Sequence, residues 1–368
     1  MIKFLAAFSD YSGYGQASRN SLICLDRVGV KFTTESVNFT PENLELGEGS
    51  KLAKEHNCIS KDYKIKIIQL TPNWFKQSIE KGKYNIGFLF WETIGVTKEF
   101  VDCCNLMDEI WTCGKIHAKT FKDSGIKVPI QVIPQSIDLN FKREIPFKLK
   151  NDYKFVFYSI FQWTERKNPR ALIETYWNTF QGNDDVCLLL KVYRANFSEE
   201  EKQAIRDDIL FWRKKQPQKH YPKIELYLDG MSSEDMVKLH STGNCYVSAH
   251  RGEGWGMPQM EAMACGNPII STNFGGIHEW LNKMVSWLVD FRLINVFNME
   301  HISWYSHDQK WAEVDRKELS KAMTEAYENK EKTGLMGLKA RELVEKTFSF
   351  EAVGKIMKDR LEEIKNKL

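Results

Sequence analysis

The residues best suited to chemistry lie in the run "HRGEGWGMPQMEAMACGNPIISTNFGG", His250 to Gly276, where Glu253 and Glu261 stand eight positions apart across a glycine-rich bend. The apolar run 245–249 reads as a strand, and 251–257 holds three glycines, so the chain leaves a sheet edge in a loop that brings backbone close to something. Pro258 suits the first position of a helix, where its missing N–H would be unpaired anyway, and Gly266 suits the C-terminal cap. Glu261 then falls near the first turn. A helix N-terminus gathers unpaired N–H groups and partial positive charge, a natural seat for phosphate, and the amides of Trp255, Gly256 and Met257 fall at that seat. A nucleoside diphosphate sugar fits this layout. Its diphosphate meets the amides, Glu261 accepts the ribose hydroxyls and Glu253 the hydroxyls of the sugar, in charge-assisted hydrogen bonds. Taken singly, each glutamate reads as well as a solvated loop acid or a first-turn acid favoured by the helix dipole. The combination of strand, glycine loop, helix-starting proline and two acids favours the ligand site.

Other candidates stand at similar transitions. Arg166 and Lys167 in "TERKNPR" precede a helix, where cations are disfavoured, so they call for an anionic partner. "DYSGYGQASRN" brings Gly13 and Gly15 to the start of the first helix, although Ser18 replaces the third glycine of a dinucleotide fingerprint. "FLFWET" ends a buried strand with Trp91 and Glu92 at the mouth of a sheet, where ligand groups usually sit, so both are candidates for the acceptor side. Gly230 and Met231 follow Asp229 at the end of another strand. His250 reads equally as a ligand contact or a packed residue, Trp255 as a stacking or a shielding ring, and His117 as an ordinary exposed residue.

The elements that must position these residues follow from short continuous apolar runs: "IKFLAAF", "YKIKIIQL", "NIGFLFW", "EIWTC" and "IQVIP", then "KFVFYSIF", "VCLLLKVY", "IELYLDG", "NCYVSA" and "NPIIST". Continuous runs imply burial on both sheet faces, the mark of a parallel sheet covered by helices. Helical patterns alternate with them over 15–28, 98–107, 115–124, 169–180, 199–215 and 233–241. Two such blocks predict two doubly wound α/β domains, Rossmann-like, with a cleft between them. Periodicity lapses over 137–151, which divides the chain into 1–146, 147–348 and a terminal helix, 349–368, whose apolar face at Val353, Ile356, Met357, Leu361 and Ile364 packs back on the first domain.

At 368 residues, 42% hydrophobic and 27% charged, the chain is long enough for two cores and has no disordered or repetitive tract. Its formal net charge of +3 neither demands nor excludes a polyanion. The apolar start is too short for a membrane span. Eight cysteines without a CxxC predict reduced, mostly buried thiols and a cytoplasmic setting, and Cys103, Cys104 and Cys113 fit no usual zinc spacing.

At "EGWGMPQMEAMACGNPII" the sequence closely resembles the retaining GT-B glycosyltransferases of family 4, whose signature is E-x7-E. "QVIPQSIDLNF" is similar to that family's crossover between domains, "TERKNPRALIETYWNTF" to its "KNP" helix start and "STNFGGIHEWL" to its "GGxxE" turn, so the resemblance spans nearly the whole chain. It implies transfer of a hexose or pentose from a nucleotide sugar to an acceptor hydroxyl with retention. The donor is a substrate, and neither catalytic metal nor cofactor is needed. It also implies that Lys167 contacts the donor diphosphate, that Gly13 and Gly15 face the phosphate, and that a loop at Gly230 and Met231 cups the nucleobase. Arg166, His250, Trp255, Gly256, Met257 and the two glutamates complete the donor set, while Glu253, Lys167 and Glu92 form the catalytic one. Family members usually carry an arginine about six residues before the lysine; Phe161 stands there instead, leaving Arg166 or another group to supply the second charge. The expected acceptor is a saccharide or glycoconjugate, with a nucleic-acid base in second place and a location peripheral to a membrane allowed. A sugar-nucleotide epimerase on the same scaffold is the alternative reading.

Overall fold

The computed structural model describes residues 1–10, 12–37, 46–58, 62–217 and 219–368. The chain divides into two compact units: Met1–Asp138 with Ile302–Gln309 and Glu345–Leu368, and Leu139–His301 with Lys310–Val344. The division falls after 138 rather than after 146, because 143–147 are tied to unit 2. Glu144 N donates to Ser241 Oγ and Phe147 N to Thr242 Oγ1, both at 2.9 Å, and Arg143 Nη2 reaches Asn267 Oδ1 at 2.6 Å.

Unit 1 runs β1 (Ile2–Ala6), α1 (Gly13–Arg27), β2 (Phe32–Ser36), α2 (Glu48–Glu55), β3 (Ile65–Gln69), α3 (Phe75–Ser78), β4 (Tyr84–Phe88), α4 (Lys98–Cys104), β5 (Glu109–Thr112), α5 (Lys115–Asp123) and β6 (Ile130–Val132). All its strand pairs are parallel, in the order β2-β1-β3-β4-β5-β6. Apolar side chains from both faces of this sheet are buried, which is why the strands read as continuous apolar runs.

Unit 2 runs β7 (Phe155–Gln162), α6 (Pro169–Thr179), β8 (Val186–Tyr193), α7 (Glu199–Lys214), β9 (Lys223–Tyr227), α8 (Ser233–Thr242), β10 (Cys245–Ser248), α9 (Met257–Ala264), β11 (Ile269–Thr272) and β12 (Ser286–Val289). Its sheet is parallel in the order β12-β11-β10-β7-β8-β9, with the reversal of strand order between β7 and β10. An antiparallel pair, β13 (Phe291–Asn295) and β14 (Lys310–Val314), and the helices α10 (Arg316–Glu328) and α11 (Lys330–Thr347) follow.

The last helix, α12 (Phe350–Lys365), lies along α1, with Gly354 so close to the Cys24 carbonyl that a Cβ would overlap it. Its Arg360 donates from Nη2 to the fully buried Glu109 carboxylate at 2.6 Å. Both units are Rossmann-like α/β folds. The sequence reading omits β2, β12, the antiparallel pair, α2, α3, α10 and α11. Helix α2 lies within 40–58, of which 40–45 fall outside the described residues. Among the described residues no helix is long and apolar enough to cross a membrane.

Candidate functional site

In an open parallel sheet the loops leaving the two strands that flank the order reversal diverge, opening a crevice at their carboxyl ends. In unit 2 those loops follow β7 and β10. The first carries Arg166 and Lys167 on a single 3-10 turn, Glu165–Lys167, closed by Asn168 in the left-handed conformation at φ 54°. The second carries 249–256. The Lys167 ammonium and the Glu253 carboxylate form an ion pair across the reversal, both largely buried. Backbone bonds join the two loops: Arg251 N donates to Arg166 O at 2.7 Å, and Arg166 Nη1 donates to Gly252 O at 3.0 Å. The two cations that the sequence leaves without an anion thus meet Glu253 and a carbonyl.

Burial by itself would push the Glu253 carboxyl up, but Lys167, Arg166 and His250 together hold it down at about 2. It is therefore a fixed anion at neutral pH. His250, fully buried, is driven by that burial down to about 4. Its Nε2–H donates to Phe274 O at 2.9 Å, and Nδ1 lies 2.9 Å from Ser248 Oγ, so the neutral ring accepts the hydroxyl proton there. Both ring nitrogens are thus engaged within the protein. Trp255 is likewise buried, with Nε1 3.4 Å from Met260 Sδ and its ring against Trp280, so it shields the loop from within.

Helix α9 begins at Met257, after Gly256 at φ 83°. Pro258 occupies its second position, and Gly266 at φ 77° follows its end. Glu261 is therefore the fifth residue, in the second turn rather than the first, and the dipole argument for its first-turn reading lapses. It lies buried with Oε2 3.5 Å from His240 Nε2.

Two features gain their roles only from the structure. Gly275, at φ 96°, packs so tightly that a Cβ would overlap the Glu253 carbonyl oxygen, and Gly276 N donates to that oxygen at 2.9 Å. Arg251 is buried and braces both loops: Nη1 donates to Glu165 Oε2 at 2.8 Å, Nε donates to Glu313 Oε2 at 2.7 Å, and its guanidinium lies 4.8 Å from the Phe297 ring. Its place in "HRGEG" was a signal, but a partner 62 positions away was not.

The remaining candidates lie elsewhere. Gly230 is exposed and Met231 half-exposed after β9. In unit 1, Gly13 is exposed and Gly15 buried, in the first turn of α1. Gly15 packs against the Asp10 carbonyl, where a Cβ would overlap it, so its smallness serves the loop itself. Trp91 is buried: its ring stacks on Tyr305 at 5.3 Å, and Nε1 donates to Gly95 O at 2.9 Å. Glu92, half-buried, accepts from Tyr305 Oη at 3.1 Å. His117 is not exposed as expected; it is buried, with Nδ1 3.4 Å from Cys113 Sγ, because α5 turns that face onto the sheet. The cysteines are free, with Cys58 exposed and Cys103 half-buried. Among the described residues no group of three or more His, Cys, Asp or Glu is placed to hold a metal ion.

Residues 213–330 match the family model of glycosyl transferases group 1. The match includes Glu253, Glu261 and Gly275 but stops short of Lys167 on the amino-terminal side. No curated protein sequence matches the chain significantly. Among solved structures, Anabaena HepE in complex with UDP and glucose is similar at a TM-score of 0.70 and 12% identity, covering 98% of this chain and 99% of that one. Sucrose-phosphate synthase from Thermosynechococcus elongatus has a TM-score of 0.71 at 13% identity, covering 100% and 99%. S. aureus TarM is similar at 0.55 and 14%, over 78% of this chain and 53% of the larger protein. At such identities the likeness establishes the fold, two Rossmann-like units of the GT-B class.

Proposed function

We propose that the chain is a retaining glycosyltransferase of the E-x7-E type, and that the β7/β10 reversal of unit 2 holds a nucleoside diphosphate sugar. The observation that carries this is the buried Lys167–Glu253 ion pair where the strand order of the unit 2 sheet reverses, with Glu261 eight residues on in α9. An ammonium beside a permanently ionised carboxylate offers a cation for the leaving phosphate and an acceptor for sugar hydroxyls side by side. Glu261 grips the ribose, and the start of α9 at Gly256 and Met257 faces the diphosphate. The match to glycosyl transferases group 1 and the UDP and glucose held by HepE support the reading.

In the reaction the bond from the anomeric carbon to the phosphate oxygen breaks and a bond to the acceptor oxygen forms on the same face. The acceptor proton passes to the departing phosphate oxygen, so no protein base is required. Lys167 and Arg166 stabilise the charge that develops on the diphosphate. No catalytic metal or resident cofactor enters this scheme. Unit 1, with Glu92 near its sheet edge, takes the acceptor, a saccharide or glycoconjugate. A thermal-stabilisation screen with UDP-, GDP- and ADP-sugars, then acceptor trials with the best donor, tests the proposal. Proton NMR of the product must show the donor's anomeric configuration. Inversion, or no stabilisation by any donor, overturns the reading.

A further inference from the structure

Lys191 is 5% exposed on β8, and among the described residues no group hydrogen-bonds or ion-pairs with its ammonium. Leu188, Leu190 and Val192 point into the core of unit 2, so Lys191 and Tyr193 occupy the opposite sheet face. In register, Lys191 stands beside Ile160 of β7 and Tyr227 of β9, on the face shared with Tyr158, Tyr246 and Ser248. Its surroundings are aromatic: Nζ lies 5.2 Å from the Phe197 ring centroid and 5.8 Å from that of Tyr193. Phe197 in turn lies next to Gly230. The nearby acid, Asp229, is exposed and bonded to Lys202 at 2.5 Å. Burial lowers the Lys191 ammonium to about 8, against a smaller upward pull from Asp229.

A buried amine without a counter-ion is costly, and cation–π contact at these distances offsets only part of that cost. The position selects the missing acceptor. Diphosphate belongs at the reversal between β7 and β10, whereas Lys191 stands one strand further out, among rings and a glycine that suit a flat heterocycle. We propose that Lys191 reads the nucleobase of the bound nucleoside diphosphate, donating to a ring carbonyl oxygen of a base lying against Phe197 and Gly230, and so favours uracil or guanine over adenine. This rests on unit 2 being the nucleotide site.

The test is calorimetric titration of UDP, GDP and ADP into the wild-type protein, Lys191→Met and Lys191→Arg, with unliganded melting curves to confirm that each variant folds. A carbonyl-bearing nucleotide binds the wild type best. Lys191→Met weakens it about tenfold or more, the size of a charge-assisted hydrogen bond, and leaves ADP nearly unchanged. Lys191→Arg, which keeps a cationic donor, retains part of the preference. Equal weakening of all three nucleotides assigns Lys191 to the phosphates and overturns the proposal, as does an unchanged affinity in Lys191→Met. Failure of all three to bind the wild type overturns the nucleotide reading itself, and this inference with it.

Discussion

At the carboxyl ends of β7 and β10 in unit 2 the side chains are charged and already matched: Lys167 with Glu253, and Arg251 with Glu165 and Glu313. After β4 in unit 1 they are largely aromatic. Tyr14 packs on Phe90 at 5.1 Å and Trp91 stacks on Tyr305, with the Glu92 carboxylate reached by one phenol. Two six-stranded parallel sheets thus carry different chemistry at these places. A buried charge is costly unless it is paired, so the matched groups after β7 and β10 fix one another in place before any ligand arrives. The rings of unit 1 impose shape and leave hydroxyl recognition to few groups.

The largest expected break in this contrast comes from Lys167→Met. It removes the cation at the proposed leaving group and leaves Glu253 buried without its main partner, and turnover should fall about 100-fold or more in steady-state kinetics. Next comes Gly275→Ala, which meets both the positive φ and the Glu253 carbonyl. It should cost about 2 kcal/mol or more in chemical denaturation and weaken donor binding through the displaced Glu253 loop. An unchanged stability would show that the turn at 275–276 does not hold that loop.

The third prediction concerns pH. The unfolded imidazole of His250 takes up a proton near its ordinary 6.5, the folded one only near 4, so between those values the unfolded state binds more protons and stability falls as pH falls. From pH 7.5 to 5 this site contributes a loss of about 2 kcal/mol, which should disappear in His250→Gln. The Glu253 carboxylate acts in a lower window: its contribution is complete above about 4.5 and is lost as pH falls towards 2. The smallest effect belongs to unit 1. Tyr305→Phe deletes only the hydroxyl on Glu92 and should lower stability by about 1 kcal/mol, without changing nucleotide affinity. A large loss of nucleotide affinity there would blur the division of labour between the two sheets.

What was legible in the sequence was local. The apolar runs gave the parallel strands, and "EGWGMPQME" gave the loop, the helix start and the acids, because strand, bend and helix signals all act over a few residues. What was not legible depends on remote partners. His250 is sealed by the Phe274 carbonyl, 24 positions on, and Arg251 is held by Glu313, 62 positions on. Burial of His117 depends on how α5 rests on its sheet, which its mixed sequence does not announce. The return of Ile302–Gln309 to unit 1, placing Tyr305 beside Trp91 and Glu92, likewise lies between two strands of an antiparallel pair that no local pattern marked.

The central claim, that the charged edge of unit 2 grips a nucleoside diphosphate through Glu261, is met most directly by titrating UDP, GDP and ADP calorimetrically into wild type and Glu261→Gln. At least one nucleotide should bind the wild type and lose about tenfold or more in affinity in the variant, with the melting temperature of the unliganded protein preserved. Equal affinity in the two proteins, or binding of none, would contradict the account.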